Sequence, residues 1–172
     1  MYNFPAGKLA RDKRLESLYD PRWVEAMVTL IKSRKAYKKG TDWFRWHDSG
    51  DIMSVEHLGQ IVKVCLATPD VHHWLPTKEH KIVSDYLSSE GSIPENLCVR
   101  ISHPMIDYET ASVNHAAYRL SQMSGRSIVV SAVHTEYAGY GIACPAPSQN
   151  GECRDCRKCW DTQEYCVSYL SH

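Results

Sequence analysis

Cys153, Cys156 and Cys159 stand at the spacing C-x2-C-x2-C in the stretch NGECRDCRKCW. A single tight loop can turn thiolates at that spacing toward a common centre, which is the chemistry of metal ligation. A fourth thiolate lies upstream at Cys144, directly followed by proline in CPAP, so the full pattern is C-x8-C-x2-C-x2-C. Zinc is usually gripped by two separated pairs of ligands, whereas a cysteine at every third position suits a cubane in which successive thiolates reach different irons. The expected cofactor is one [4Fe–4S] cluster on Cys144, Cys153, Cys156 and Cys159, with structural zinc as the alternative. Arg154, Arg157 and Lys158 are interleaved with the ligands. They would offset part of the negative charge of a thiolate-ligated cluster, while backbone N–H groups in such turns would hydrogen-bond its sulfurs.

A second set of chemical groups falls just after each stretch that reads as a strand. These are His47, Asp48, Ser49 and Asp51; Thr77, Lys78 and Glu79; Ser102 and His103; and His134, Thr135 and Glu136. The stretch HDSGD is the most suggestive, because Gly50 permits a close backbone approach while His47, Asp48 and Asp51 offer a base and carboxylates. Those three are the catalytic candidates, in a cleft suited to a small anionic ligand or a host partner. No nucleophile elbow, phosphate-binding loop or dinucleotide fingerprint is present.

These groups need a scaffold, and the chain supplies alternating elements. Trp23, Val24, Met27, Leu30 and Ile31 recur at helical spacing, with Asp20 and Pro21 at the start and Gly40 beyond. DWFRWH then reads as a strand. Ser54 caps a helix carrying Val55, Leu58, Ile61, Val62, Cys65 and Leu66, with Pro69 past its end. VHHWLP, NLCVRIS and SIVVSAVH are three further strands, with helical segments around Ile82–Leu87 and in YETASVNHAAYRLSQMSG. Strand and helix in alternation imply parallel crossovers. The expected fold class is α/β: a small parallel sheet or partial (β/α) barrel of four strands over residues 1–138, with an irregular cysteine-rich lobe, 139–172, packed on it. The aromatics Trp43, Phe44, Trp46 and Trp74 read as core, and Cys65, Cys98 and Cys166 as buried thiols.

Composition excludes several classes. At 172 residues, with 20 basic and 20 acidic side chains, the chain has the size of one domain and no net field to draw nucleic acid or an anionic membrane. The basic stretch Lys32–Lys39 reads as a solvated helix end. No apolar run is long enough to span a membrane, which together with seven cysteines points to the cytoplasm and to metal-binding or buried thiols, not disulfides. The edges of an incomplete barrel would be natural surfaces for homo-oligomer pairing.

Taken together, FRWHDSGD, TPDVHHWLPTKEHKIV, PENL and VRIS on either side of Cys98, and CPAPSQNGECRDCRKCW resemble the bacteriophage gene product 88 family over about Tyr2 to Trp160. The resemblance implies a phage-encoded protein of the bacterial host cytoplasm with a C-terminal iron–sulfur cluster on Cys144, Cys153, Cys156 and Cys159. The partial barrel with a cluster is also distantly similar to radical S-adenosylmethionine folds. Those use C-x3-C-x2-C early in the chain and leave one iron open, whereas four late cysteines here would saturate the cubane. The function expected is redox or electron transfer with an unidentified redox or host protein partner. The alternatives are a zinc-stabilised module that modulates a host protein or nucleic acid, and an enzyme working at the strand ends with a purely structural cluster.

Overall fold

The computed structural model describes residues 5–37, 42–47, 50–89, 91–108, 111–137 and 139–171. Asp48 and Ser49 of the HDSGD loop, and Lys38 to Gly40, lie outside the described residues. Helices α1 (Pro5–Ser17) and α2 (Trp23–Tyr37) precede β1 (Trp43–Arg45), α3 (Val55–Ala67), β2 (His72–Thr77), α4 (His80–Ser89), β3 (Leu97–Ile106), α5 (Ala111–Ser124) and β4 (Val129–His134). Two short strands follow, β5 (Ile142–Ala143) and β6 (Cys166–Leu170), separated by 3-10 turns at Ala146–Gln149 and Lys158–Trp160.

All the strands belong to one parallel sheet, in the order β1-β2-β3-β4-β6-β5, laid out as half of a (β/α) barrel. The α/β expectation holds. The four expected strands are right in place, but the sheet has six among the described residues, because the last third of the chain adds two. YCVSYL is too short and too uniformly apolar to show a period. It becomes β6 because β4 offers it an open edge, pairing Val130 with Cys166 and His134 with Leu170. β5 then adds outside it.

The two faces of the sheet are built differently. Helices α2 to α5 pack side by side in chain order. The core they close over contains Leu58, Ile61, Leu75, Val83, Val99, Ile101 and Val130. Each such fully buried aliphatic side chain contributes roughly 1.5–3 kcal/mol. Local chemistry agrees with this packing: the Ser54 hydroxyl accepts from the His57 amide at 3.2 Å and starts α3. Asn96 ends α3, donating from Nδ2 to the carbonyls of Cys65, Thr68 and Val71. Trp46 and Trp74 are buried, as are Cys65, Cys98 and Cys166. The opposite face carries the 3-10 turn Lys158–Trp160 against β2 and β3. Trp74, Val167 and Cys159 form a small separate core there, joined by Ile142, Cys144, Trp160 and Tyr169.

Candidate cysteine centre and strand-end groups

The loop between β5 and β6 lies across this second face and is fastened at several points. The Cys144 amide donates to the Ser168 carbonyl at 2.8 Å, and the Tyr137 hydroxyl donates to the Cys144 carbonyl at 2.6 Å. At the far end, Trp160 Nε1 donates to the Phe44 carbonyl of β1 at 3.0 Å. Trp160 also meets Trp74 and Trp43 edge-on, with ring centroids 5.2 and 5.8 Å apart. Left-handed backbone at Asn150, Gly151 and Arg154 makes the turns that carry the chain from Cys144 round to the triplet. A hydrogen bond from the Cys156 amide to the Cys153 carbonyl, 2.9 Å, closes the turn between those two cysteines.

The thiols of the four expected cysteines act on one another electrostatically. Burial raises the Cys144 thiol; the Ala146 amide opposes this, and the neighbouring Cys153 and Cys156 sulfurs raise it further. Burial is also the main cause pushing Cys159 up to about 11. The Tyr169 hydroxyl, 3.1 Å from its sulfur, and Arg100 pull the other way, while Cys144 and Cys153 push up. Cys159 is buried, Cys144 and Cys156 are half-buried, and Cys153 is exposed. All seven cysteines are free thiols. Sulfur is the shared donor of the four at this centre, a soft set that selects zinc, copper(I) or iron–sulfur. Among the described residues, no three His, Cys, Asp or Glu side chains are grouped tightly enough to hold one metal ion.

Two residues that matter here drew no attention in the sequence. Tyr169 faces Cys159 from β6. Arg100 of β3 is fully buried and reaches the loop from beneath, donating to the carbonyls of Lys158, Cys159, Asp161 and Glu164. In NLCVRIS an arginine on the alternate face suggests solvent, and nothing local betrays a loop that arrives some 60 positions later.

A family model described as Gene product 88 matches residues 1–162. The chain belongs to the Gene product 88 family. The match takes in β1 to β5 and the cysteine loop, while β6 lies beyond it, and supports a phage gene-product family. No curated protein and no solved structure matches the chain. No described helix is long and apolar enough to cross a membrane.

In this Gene product 88 protein the strand-end groups fall into two sets. In the first, Asp51 ties the β1–α3 loop to the end of β2. Its carboxylate accepts from the Ile52 amide at 2.7 Å, the Thr77 hydroxyl at 2.5 Å and the Lys78 amide at 2.7 Å. His47 has left-handed backbone, φ 52°, and its Nε2 is buried without a hydrogen-bond partner among the described residues. Burial lowers its pKa, opposed by Asp51. Its ring lies edge-on to His57 at 5.5 Å. Asp48, the third member of the expected trio, lies outside the described residues. In the second set, His134 Nδ1 is 2.5 Å from the Ser168 hydroxyl, and Tyr140 donates to Asn114 at 3.0 Å while lying 3.4 Å from His103 Nε2. His103 and His134 are both buried beneath these contacts.

The Asp51 geometry gives a first testable outcome. Removing a carboxylate that satisfies two amides and a hydroxyl leaves those donors unpaired, so Asp51→Ala should lose about 2–3 kcal/mol. Asp51→Asn, which keeps one acceptor oxygen, should lose less. Urea unfolding of the two variants measures the difference; equal stabilities for Asp51→Ala and wild type would show that these bonds carry no net stabilisation.

Proposed function

We propose that this protein carries one [4Fe–4S] cluster on Cys144, Cys153, Cys156 and Cys159 and works as a one-electron carrier in the bacterial host cytoplasm. The observation that carries the reading is that four thiols from two separate segments act on one another electrostatically, two of them, Cys144 and Cys159, against one apolar patch. The donor set fits the group. Zinc, at about 2.3 Å from each sulfur, draws its ligands to within ~4 Å of one another. A cubane presents a different iron to each thiolate and accepts a wider ring of sulfurs.

When bound, such a cluster supplies reversible uptake of one electron. The chain's own residues would set the conditions for that. Trp74, Val167, Ile142 and Tyr169 exclude water from the buried side of the centre. The Tyr169 hydroxyl and the Ala146 amide are placed to hydrogen-bond the Cys159 and Cys144 sulfurs. Cys153, on the exposed side, brings the centre to the surface where a partner protein can approach. Arg157, stacked over Trp43 with 5.5 Å from guanidinium carbon to ring centroid, lends positive charge to that rim. With four cysteine ligands no iron is left open, which favours electron transfer over chemistry at the metal and separates the protein from open-iron radical enzymes.

The test is anaerobic purification followed by visible spectroscopy and iron, sulfide and zinc analysis of wild type and Cys156→Ala. The expected wild type is brown, with about four irons and four sulfides per chain. Cys156→Ala should lose most of both. A colourless wild type holding one zinc would sink the electron-transfer reading and leave a structural knuckle.

A further inference from the structure

Arg100 occupies an unusual place on the sheet. Its guanidinium is 0% exposed, and all five of its N–H donors are used. Nε donates to Cys159 O at 3.0 Å; Nη1 to Val130 O at 2.9 Å and Glu164 O at 3.0 Å; Nη2 to Lys158 O and Asp161 O, each at 2.8 Å. Every partner is a main-chain carbonyl. No carboxylate contacts the guanidinium among the described residues, so its hydrogen bonds are complete while its charge is not neutralised by contact. A buried charge carries a desolvation penalty of several kcal/mol unless an opposite charge shares its low-dielectric surroundings. Neutral donors could have held the same carbonyls.

The surroundings indicate where the missing negative charge belongs. Four of the five carbonyls lie in residues 158–164, the segment that carries Cys159. The positive charge acts on Cys98, Cys159 and Tyr169, which share that face of the sheet; the Asp161 carboxylate, which does not touch the guanidinium, also acts on Cys98.

We infer that Arg100 is the counter-charge of the cysteine centre: it fixes the 158–164 segment over the sheet and makes the bound cluster easier to reduce. The inference rests on the iron–sulfur reading above. Four thiolates around a cubane core of about +2 leave a net charge of about −2, and uptake of one electron makes it about −3. A fixed positive charge in a poorly screened site attracts the more negative form more strongly and so favours electron uptake. Lysine would keep the charge and lose the planar fork of donors; glutamine would lose the charge.

The experiment is anaerobic reconstitution of wild type, Arg100→Lys and Arg100→Gln, with iron and sulfide counted. The midpoint potential is then measured by reductive titration with dithionite, followed by electron paramagnetic resonance. Arg100→Gln is expected to have a lower midpoint potential than wild type. Arg100→Lys should keep the wild-type potential while melting at a lower temperature, because it loses most of the carbonyl contacts. A loaded Arg100→Gln protein with the wild-type potential would overturn the inference. Should Arg100→Gln fail to fold, Arg100→Lys decides: an unchanged potential supports the counter-charge role, and a lowered one overturns it. A wild type that binds no cluster sinks both this inference and the reading beneath it, whereas a loaded wild type with an unresponsive Arg100→Gln sinks this inference alone.

Discussion

Gly141→Ala should be the most damaging alanine substitution at any described glycine, costing about 2–6 kcal/mol. Gly141 has φ 73°, a region that costs a non-glycine residue about 1–3 kcal/mol. A Cβ there would also lie 2.6 Å from the Cys166 carbonyl oxygen, 2.8 Å from its Cβ and 2.9 Å from its sulfur. Overpacking of this kind costs a further ~1–3 kcal/mol. The obstacle cannot swing away, since the carbonyl belongs to the backbone of β6, and the neighbouring Tyr165 carbonyl is held by the Val130 amide at 2.8 Å. Relief would come instead by lifting β5 off β6, and Cys144 would move with it. Gly151→Ala is the control: its φ is 77°, but nothing lies within 4 Å of the added methyl. Chemical denaturation of both variants separates the two causes. If they lose stability equally, backbone strain alone is responsible and the close approach to Cys166 carries no weight.

Stability should also fall steeply as the solution is acidified from pH ~6.5 to ~4. His73 is almost fully buried beneath Phe44 and Trp46, and its Nε2 is 2.9 Å from the Thr68 hydroxyl. Burial above all, with the charge of His72 second, lowers its pKa to about 4. Burial and the nearby His47 lower His57 to about 4 as well. In the unfolded chain a histidine titrates near ~6.5. Below that pH the unfolded state takes up protons that the folded state refuses. The stabilisation is therefore complete above ~6.5, is lost as pH falls, and levels off near the folded value. His73 alone should account for about 2–3 kcal/mol of this loss. Urea midpoints at several pH values, for wild type and His73→Gln, test it. The variant should show a clearly shallower pH dependence; an unchanged slope would mean that keeping His73 neutral is not its source.

Much of this architecture could be read from the residues, and the exceptions have physical causes. Ser54 announces α3 because a hydroxyl at that position satisfies an amide that the first turn leaves free, a purely local interaction. β2, β3 and β4 are legible because a parallel strand covered on both faces is apolar nearly throughout. β5 has two residues and no pattern of its own; it exists because β6 is already there. The cysteine spacing was visible, since it is written within 16 consecutive residues, Cys144 to Cys159. Arg100 was not, because its partners are carbonyl oxygens, which every residue possesses and no sequence distinguishes. Asp51 was read for its carboxylate chemistry, whereas the geometry shows that carboxylate accepting from the Ile52 and Lys78 amides and the Thr77 hydroxyl.

The insertion of β6 between β4 and β5 also has a consequence for synthesis. On the ribosome, β1 to β4 emerge first and can pair in order, but β4 then waits with an open edge until residues 166–170 follow. β5 emerges before the strand it must lean on, so Cys144 has no fixed position in the growing chain. Three of the five carbonyls that engage Arg100 lie within the Cys159–Glu164 stretch, just ahead of β6. The surroundings of Cys144 and Cys159 thus take shape after β1 to β4, once residues 166–170 have paired with β4.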